Sequence, residues 1–373
     1  MPIDPKKDPG RRCPPVEIWP TPDHCAWEAA TAKGDLLEPG GGAADWAPLS
    51  RHKIAKGYAR WLTWLETNQL LDPEAVPAER VTPERVRDYV AELRLINAPY
   101  TVLARVQELC QAIRVMAPER DWAWLRRIEA RVRHSAVSVR NKRQRVVPSE
   151  MLFSFGVELM ASAENPASGS LLKRACRHRD GLMIALLAAR PLRRRNFARI
   201  EIGRHLIRQQ DDYWLRFEGN ETKTGAHIEA PVPAHLVPAL ERYIMEYRPF
   251  LLKRDKKGAS SRPSSLALWI SVHGGAMTEI GIYFAISQLT RKRFGHVVNP
   301  HLFRDSAATS IAIEDPEHVH VVSSVLSHTT LQTGERHYIQ ARMLEASRHY
   351  QQRILELRHQ SHPSADRRRD APR

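Results

Sequence analysis

The stretch HLFRDSAATS, residues 301–310, places a histidine and an arginine three positions apart directly after Pro300. A second polar stretch, LSHTTLQTGERHYIQ at residues 326–340, adds His328 and Tyr338. Histidine, arginine and tyrosine side chains therefore gather here without the cysteine or carboxylate pattern of a metal site. What these side chains act on depends on the partner that the rest of the chain is built to bind.

The composition indicates an anionic partner. The 373 residues include 57 lysines and arginines against 42 aspartates and glutamates, which leaves a formal net charge of +15. A balance this basic favours nucleic acid, although a merely basic cytosolic protein is the alternative. A chain of this length can also bury a core in each of two domains.

The cysteines and the apolar segments indicate where the protein works. Cys13, Cys25, Cys110 and Cys176 lie far apart and form no CxxC pair, which favours reduced thiols in a cytoplasm. No apolar run reaches membrane length, and the N-terminal MPIDPKKDPG has no hydrophobic region of an export signal. We therefore expect a cytoplasmic, nucleoid-associated protein without a membrane partner.

Changes in sequence texture divide the chain into segments. Apolar residues recur at helical spacing after residue 45, and short alternating stretches interrupt the helices of the second half. The predicted segments are a flexible arm or linker at 1–45, a helical domain at 46–133, a basic interdomain linker at 134–148, a mostly helical second domain at 149–358 and a basic disordered tail at 359–373. The predicted fold class is mainly α, with one small antiparallel β-sheet in the second domain.

Two helix starts in the first domain are legible. Ser50 is placed to cap a helix whose apolar face repeats every three or four residues. Thr82, Pro83 and Glu84 form a strong helix start. That second helix should turn four apolar side chains inward: Val86, Tyr89, Val90 and Leu93.

The predicted linker carries a dense run of positive charge. Arg140, Lys142, Arg143 and Arg145 fall within six residues that show no apolar period. One interpretation is a solvated tether. The other, which the overall charge favours, is a strap that contacts phosphates while two domains close on a DNA duplex.

Two further basic groups lie in the second half. The stretches YWLRFEG and HIEAPVP flank NETKTGA, so we predict a hairpin with Lys223 at its tip. An apolar helix, DGLMIALLAAR, runs into the basic turn PLRRRN, which contains Arg193. Each residue alone is weak evidence of a site, because such arginines usually meet a carbonyl or carboxylate and such lysines usually face water.

Together, these residue types match what DNA cleavage without a metal ion requires. A phosphodiester under attack spreads negative charge over its non-bridging oxygens, and the planar arginine fork can grip two of them. A tyrosine phenol, with a pKa near 10, is an attacking oxygen that can later leave. A lysine can supply the proton that the departing 5′ oxygen needs.

At this point the chain resembles the tyrosine recombinase, or phage integrase, family. PLRRRN is similar to the first arginine box, TKTG in a hairpin to the lysine element, PHLFRDSAAT to the H-x-x-R box and VLSHTTLQT to the next histidine box. The resemblance implies six catalytic residues: Arg193, Lys223, His301, Arg304, His328 and the nucleophile Tyr338. It also implies that residues 46–133 form a SAM-like, core-binding DNA-binding domain and that residues 149–358 form a catalytic domain with the DNA breaking–rejoining enzyme fold.

The resemblance further implies a site-specific recombinase of a mobile element that forms a 3′-phosphotyrosine intermediate. No cofactor is expected, because the phosphotyrosine conserves the bond energy and no phosphate-binding Gly-rich loop is present. The implied partners are double-stranded DNA, a homotetramer on two DNA sites and accessory DNA-bending factors. The C-terminal helix is expected to pack on its own domain or to dock in trans on a neighbouring protomer.

Three positions depart from the family's pattern. Tyr338 follows His328 by ten residues, one more than is commonest in the family; Pro191 replaces a usual glycine; and Asn196 replaces a residue that is often acidic. Two alternatives therefore stay open. One is a DNA-binding protein on the same fold that no longer cuts, and the other is a relative of topoisomerases or telomere resolvases.

Overall fold

The computed structural model describes residues 8–139, 143–254 and 265–314. These residues are mainly helical with one small antiparallel sheet, which confirms the predicted fold class. The chain divides into two compact units, Met1–Asn141 and Lys142–Arg373, and the division falls inside the predicted basic linker. Each unit has a hydrophobic core made of its own residues.

Unit 1 is a bundle of helices that mostly start at proline. Its helices are α1 (Thr21–Thr31), α2 (Pro48–Thr67), α3 (Pro77–Arg80), α4 (Pro83–Ile96), α5 (Pro99–Met116) and α6 (Ala123–Ser135). Proline suits a helix start because its missing N–H would have no partner there. Thr82 caps α4 as predicted, since its side chain accepts a hydrogen bond from the Arg85 amide at 3.3 Å. Helix α2 begins at Pro48, before the predicted cap Ser50.

Aromatic side chains dominate the core of unit 1. Trp61 of α2 is fully buried and stacks on Trp64, with ring centroids 5.1 Å apart. Tyr89 of α4 meets the Trp61 ring edge-on at the same centroid distance. All four apolar residues predicted to face inward from α4 are buried. Burial of such large rings is what holds a bundle of short helices together.

The segment before α2 packs onto this bundle, which corrects the expectation of a flexible arm for residues 8–45. Trp19 and Trp27 belong to the core of unit 1. Asp23 of α1 is fully buried, where it pairs with Arg80 and accepts a hydrogen bond from the Tyr58 hydroxyl at 2.5 Å. A buried carboxylate is tolerated only with such partners. The proline- and glycine-rich composition predicts a flexible arm, whereas Trp19, Trp27 and Asp23 hold the segment on the bundle.

Unit 2 contains the remaining helices. They are α7 (Ser149–Glu164), α8 (Leu171–Ala189), α9 (Arg194–Ala198), α10 (Val237–Arg242), α11 (Arg248–Leu252), α12 (Glu279–Phe294) and α13 (Pro300–Glu314), and a π-helical turn at Tyr243–Tyr247 joins α10 to α11. Helices α7 and α8 approach closely at a pair of glycines. A Cβ atom on Gly181 would lie 2.6 Å from the carbonyl oxygen of Gly156, so the contact requires a residue without a side chain.

A three-stranded antiparallel sheet lies between α9 and α10 in the sequence. Its strands are β1 (Leu206–Gln209), β2 (Asp212–Phe217) and β3 (Ile228–Pro231), paired in that order. Leu206 lies opposite Leu215, and Phe217 lies opposite Ile228. Tyr213, Leu215 and Phe217 alternate inward along β2, as expected for a strand with one buried face. The predicted hairpin is therefore confirmed as the β2–β3 pair.

All four cysteines carry free thiols, and Cys110 is buried in the core of unit 1. Among the residues that the structure describes, no helix combines the length and apolar character needed to cross a bilayer.

Candidate active site

Two arginines that are distant in the sequence come together in unit 2. Arg193 is the N-cap residue of α9, in the turn that follows the buried helix α8. Arg304 lies one turn inside α13. Burial, and to a smaller extent the positive charge of Arg193, lowers the pKa of Arg304 to about 10. Burial also lowers the pKa of Arg193. The fold thus brings two guanidinium groups close enough to repel each other.

The Arg304 side chain is fixed in place. It is 7% exposed, and its Nη1 donates a hydrogen bond to the carbonyl oxygen of Pro191 at 2.6 Å. Pro191 lies two residues before Arg193, so one bond ties α13 to the arginine turn. The contact uses the proline carbonyl and not the missing amide. A proline in place of the usual glycine at position 191 is therefore compatible with the bond that holds Arg304 beside the turn of Arg193.

His301 begins the same helix as Arg304. Asn299 caps α13, because its Oδ1 accepts hydrogen bonds from the amides of His301 at 3.0 Å and Leu302 at 3.2 Å. His301 is exposed, while Arg304, three residues later, lies on a neighbouring part of the helix surface. The H-x-x-R spacing thus places an accessible imidazole beside a buried guanidinium.

Lys223 lies in the loop that joins β2 to β3, and its side chain is exposed. The loop starts with a 3-10 turn at Gly219–Glu221. It then reverses through Gly225, which has a φ of +71° that favours glycine. The hydroxyl of Thr222 closes the loop by donating to the carbonyl oxygen of Ala226 at 2.9 Å.

Two residues that the sequence did not single out, Glu221 and His205, lie at the base of this loop. His205 is 4% exposed and its Nε2 donates to Oε1 of Glu221 at 3.1 Å. Burial alone would raise the pKa of Glu221, but hydrogen bonds from His205 and from the Glu218 amide lower it below its ordinary value. The available signal was the pair Glu218 and Glu221, spaced three residues apart as in a capping box.

A polar cleft of about 400 Å³ adjoins this base. It is lined by Arg195, Asn196, Arg199, Glu201, Arg204, His205, Phe217, Asn220, Glu221 and Thr222. Arg204 pairs with both carboxylates of the cleft, Glu201 and Glu221. Arg195 and Arg199 are exposed and have no ion-pair partner within the described ranges. The cleft wall therefore presents two arginines that can accept an anion.

Several predicted site residues lie outside the described part of the chain. They are His328, Tyr338, Arg140 and Lys142. Arg143 lies in a single 3-10 turn at Arg143–Arg145. Arg145 donates from Nη2 to the carbonyl oxygen of Val297 at 2.8 Å, and Val147 is buried in the core of unit 2. The end of the predicted linker thus belongs to unit 2.

The described arrangement can stabilise negative charge. Two arginines from separate helices can hold an anion from two directions, and His301 lies three residues before Arg304 as a further donor. The described residues include no group of three or more histidine, cysteine or acidic side chains that could hold a metal ion.

Solved structures with the same fold support a comparison at the level of architecture. The XerH site-specific recombinase bound to difH substrate in a pre-cleavage complex has a TM-score of 0.52 at 14% identity, covering 80% of this chain and 79% of that chain. A post-cleavage complex of XerH on a palindromic difH substrate has a TM-score of 0.51 at 15% identity, covering 82% and 81%.

No protein-family model and no curated protein sequence matches this chain. The structural similarity nevertheless extends over most of both chains and includes both units in sequence. The chain has the tyrosine recombinase fold.

Proposed function

We propose that the protein is a site-specific DNA recombinase that cleaves and rejoins DNA through a 3′-phosphotyrosine at Tyr338. The observation that carries this proposal is the hydrogen bond from Arg304 to the Pro191 carbonyl oxygen, which holds Arg304 at the turn of Arg193 on a tyrosine recombinase fold. Two cations placed near each other favour a bound anion between them, and a net charge of +15 suits DNA. The scissile phosphate is the anion that accounts for both features.

In the proposed reaction, the phenol oxygen of Tyr338 attacks the phosphorus atom and its proton passes to a histidine base. The bond from phosphorus to the 5′ oxygen breaks, and Lys223 donates a proton to that oxygen. Arg193 and Arg304 stabilise the charge on the non-bridging oxygens. The phosphotyrosine conserves the bond energy, so the reverse attack by a 5′ hydroxyl rejoins the strand without ATP or a metal ion.

The wider biological role follows from the same resemblance. We propose that a homotetramer assembles on two double-stranded DNA sites, with the C-terminal helix docking in trans and accessory DNA-bending factors taking part. Unit 1 would bind one face of each site, and the basic residues Arg140, Lys142, Arg143 and Arg145 would contact phosphates. A mobile-element integrase acting at the nucleoid is the role that this set of partners favours.

A nicked suicide substrate tests the chemistry directly. The DNA would come from the ends of the host element, and the nick would release a short oligonucleotide after cleavage so that the adduct accumulates. We expect a covalent adduct on the 3′ side of the break in the wild-type protein and none in Tyr338→Phe. An adduct of normal yield with Tyr338→Phe would overturn the assignment of the nucleophile. Tyr350→Phe, at a second tyrosine twelve residues after Tyr338, is the matched control.

The alternatives give different results in the same assays. A DNA-binding protein that no longer cuts would bind its site specifically and form no adduct in the wild type. A topoisomerase-like enzyme would relax supercoiled DNA that lacks a paired site, whereas a recombinase requires two sites. Asn196, the residue that raised doubt about catalysis, has a structural partner, because its amide donates to the Glu221 carbonyl oxygen at 3.2 Å.

A further inference from the structure

Glu221 lies two residues before Lys223, and its carboxylate accepts hydrogen bonds from other segments of unit 2. Its Oε1 accepts from Nε2 of His205 at 3.1 Å and from Nη2 of Arg204 at 2.5 Å. Its Oε2 accepts from the Glu218 amide at 3.1 Å. Both oxygens are therefore occupied by contacts that hold the start of the lysine loop.

His205 is a fixed donor in this network. Its Nδ1 accepts a hydrogen bond from the Glu201 amide at 3.1 Å, so the ring proton of the neutral imidazole must lie on Nε2, toward Glu221. The ring also stacks on Phe217, the last residue of β2, with centroids 4.7 Å apart. Because His205 is buried and held on both nitrogens, it has little freedom to leave Glu221.

Asn196 connects the same residue to the arginine turn. Its side chain, 4% exposed in α9, donates to the main-chain oxygen of Glu221. Asn196 lies three residues after Arg193, which caps the same short helix. One residue, Glu221, thus joins the helix of the first arginine to the loop of the lysine.

Lysine needs such support at this place. The side chain has four rotatable bonds and is exposed on a loop, so holding its ammonium group at one atom costs conformational entropy. A misplacement of about 1 Å can reduce a reaction rate by about 100-fold. Rigid anchoring of the loop base reduces the number of positions that the ammonium group samples.

We propose that Glu221, held by His205 and Asn196, is a positioning residue that sets the Lys223 loop so that its ammonium group reaches the leaving 5′ oxygen. This inference rests on the proposed function. Glu221 itself touches no reacting atom, so its removal should weaken only the step in which a proton moves from Lys223 to the 5′ oxygen.

A change of leaving group separates this role from general damage to the site. Suicide DNA would be prepared with the ordinary 5′ oxygen, or with sulfur at that bridging position. A thiol has a pKa of about 8.5, against about 15.7 for water as a guide to an alcohol, so the sulfur departs without a proton donor. Rates of adduct formation would be compared for wild type, Glu221→Ala, Lys223→Ala and the double variant.

We expect Glu221→Ala to slow adduct formation by about 10- to 100-fold on the oxygen substrate. On the sulfur substrate, its rate should return to within a few-fold of the wild type, as for Lys223→Ala. The double variant should be no slower than Lys223→Ala alone, because both changes remove one function. Glu229→Ala is the matched control, since that carboxylate lies on β3 and pairs with Arg216.

Several outcomes would overturn the inference. An equal loss on both substrates, or an unchanged rate for Glu221→Ala on oxygen, would exclude a role in leaving-group protonation. If Glu221→Ala does not fold, Glu221→Gln and Asn196→Ala replace it and must be rescued selectively by the sulfur substrate. If they are not rescued, a role in leaving-group protonation is excluded. A wild type without adduct on either substrate would overturn the proposed function as well.

Discussion

Arg304 has surroundings unlike those of an ordinary surface arginine, because only 7% of it is exposed. Burial and the nearby charge of Arg193 disfavour its charged form, yet a pKa of about 10 keeps it protonated at neutral pH. Lysine would behave differently here, because its ordinary pKa of about 10.4 is already lower and its ammonium cannot bind two oxygens at once. The site therefore favours arginine on both charge and geometry.

Replacement of Arg304 by lysine should reduce the cleavage rate by about 100- to 1,000-fold, as loss of one donor to a developing oxyanion does. The measurement is single-turnover adduct formation on nicked DNA. Arg216→Lys, at a surface pair with Glu229, is the control and should keep the wild-type rate. A normal rate for Arg304→Lys would contradict a two-oxygen contact.

Glu108 of α5 illustrates the cost of a buried charge in unit 1. The residue is 1% exposed, and burial raises its pKa, although Arg105 and Lys53 partly offset the rise. Folding therefore favours the protonated carboxyl. This contribution to stability is complete below the unfolded pKa, about 4.3, and is lost as the pH rises through the folded value.

Glu108→Gln should therefore raise the melting temperature at pH 7, because the amide needs no proton to be neutral. The advantage over wild type should shrink as the pH falls toward 4, where the wild-type carboxyl is protonated. Thermal unfolding followed by circular dichroism across this range measures the effect. Exposed Glu66→Gln is the control, and a lower melting temperature for Glu108→Gln at pH 7 would contradict the sign.

At the scale of elements, the short helix α9 and its two flanking residues supply arginines to two places in unit 2. Arg193 at its start belongs to the candidate active site, whereas Arg195 and Arg199 line the polar cleft beside the lysine loop. Residues four apart lie on one side of a helix or its continuation, so these two can act together. They are candidates for contacts with the DNA backbone next to the cleaved bond.

The double variant Arg195→Ala/Arg199→Ala should weaken DNA binding on all sequences and reduce the salt dependence. If each arginine neutralises one phosphate, the slope of log K against log salt concentration should fall by about 2. Binding titrations at several salt concentrations measure this slope. Arg216→Ala is the control, and an unchanged slope for the double variant would exclude the backbone contacts.

At the scale of the whole molecule, two cores account for two separate units. Within the ranges that the structure describes, the core of unit 1 is built from its own part of the chain, including the segment around Trp19 and Trp27. A unit with a complete hydrophobic core of its own can fold by itself. The buried pair of Asp23 and Arg80 lies wholly inside it.

The fragment Met1–Asn141 should therefore unfold in a single cooperative transition. Its tryptophans, Trp19, Trp27, Trp46, Trp61, Trp64, Trp122 and Trp124, provide the fluorescence signal. A fragment that begins at residue 46 should be less stable, because it lacks the carboxylate partner of Arg80 and the aromatic anchors. Equal denaturation midpoints for the two fragments would contradict the packing of the N-terminal segment.

The sequence alone determined those features that depend on neighbouring residues in the chain. The Thr82 cap, the inward face of α4 and the β2–β3 hairpin depend on residues that are close in the chain, and the structure confirms each. The order of the basic motifs also indicated the fold. The catalytic roles of the predicted site residues remain predictions, and His328 and Tyr338 lie outside the described residues.

Only the tertiary structure decided which distant groups meet. The approach of Arg193 to Arg304, the bond from Asn196 to Glu221 and the pairing of Asp23 with Arg80 each join separate segments. No local propensity encodes such pairs, because they exist only after helices pack and bury polar groups that then need partners. The same reason explains why the composition predicts a flexible arm for residues 8–45. Their order comes from contacts with residues far along the chain, such as the pair of Asp23 with Arg80.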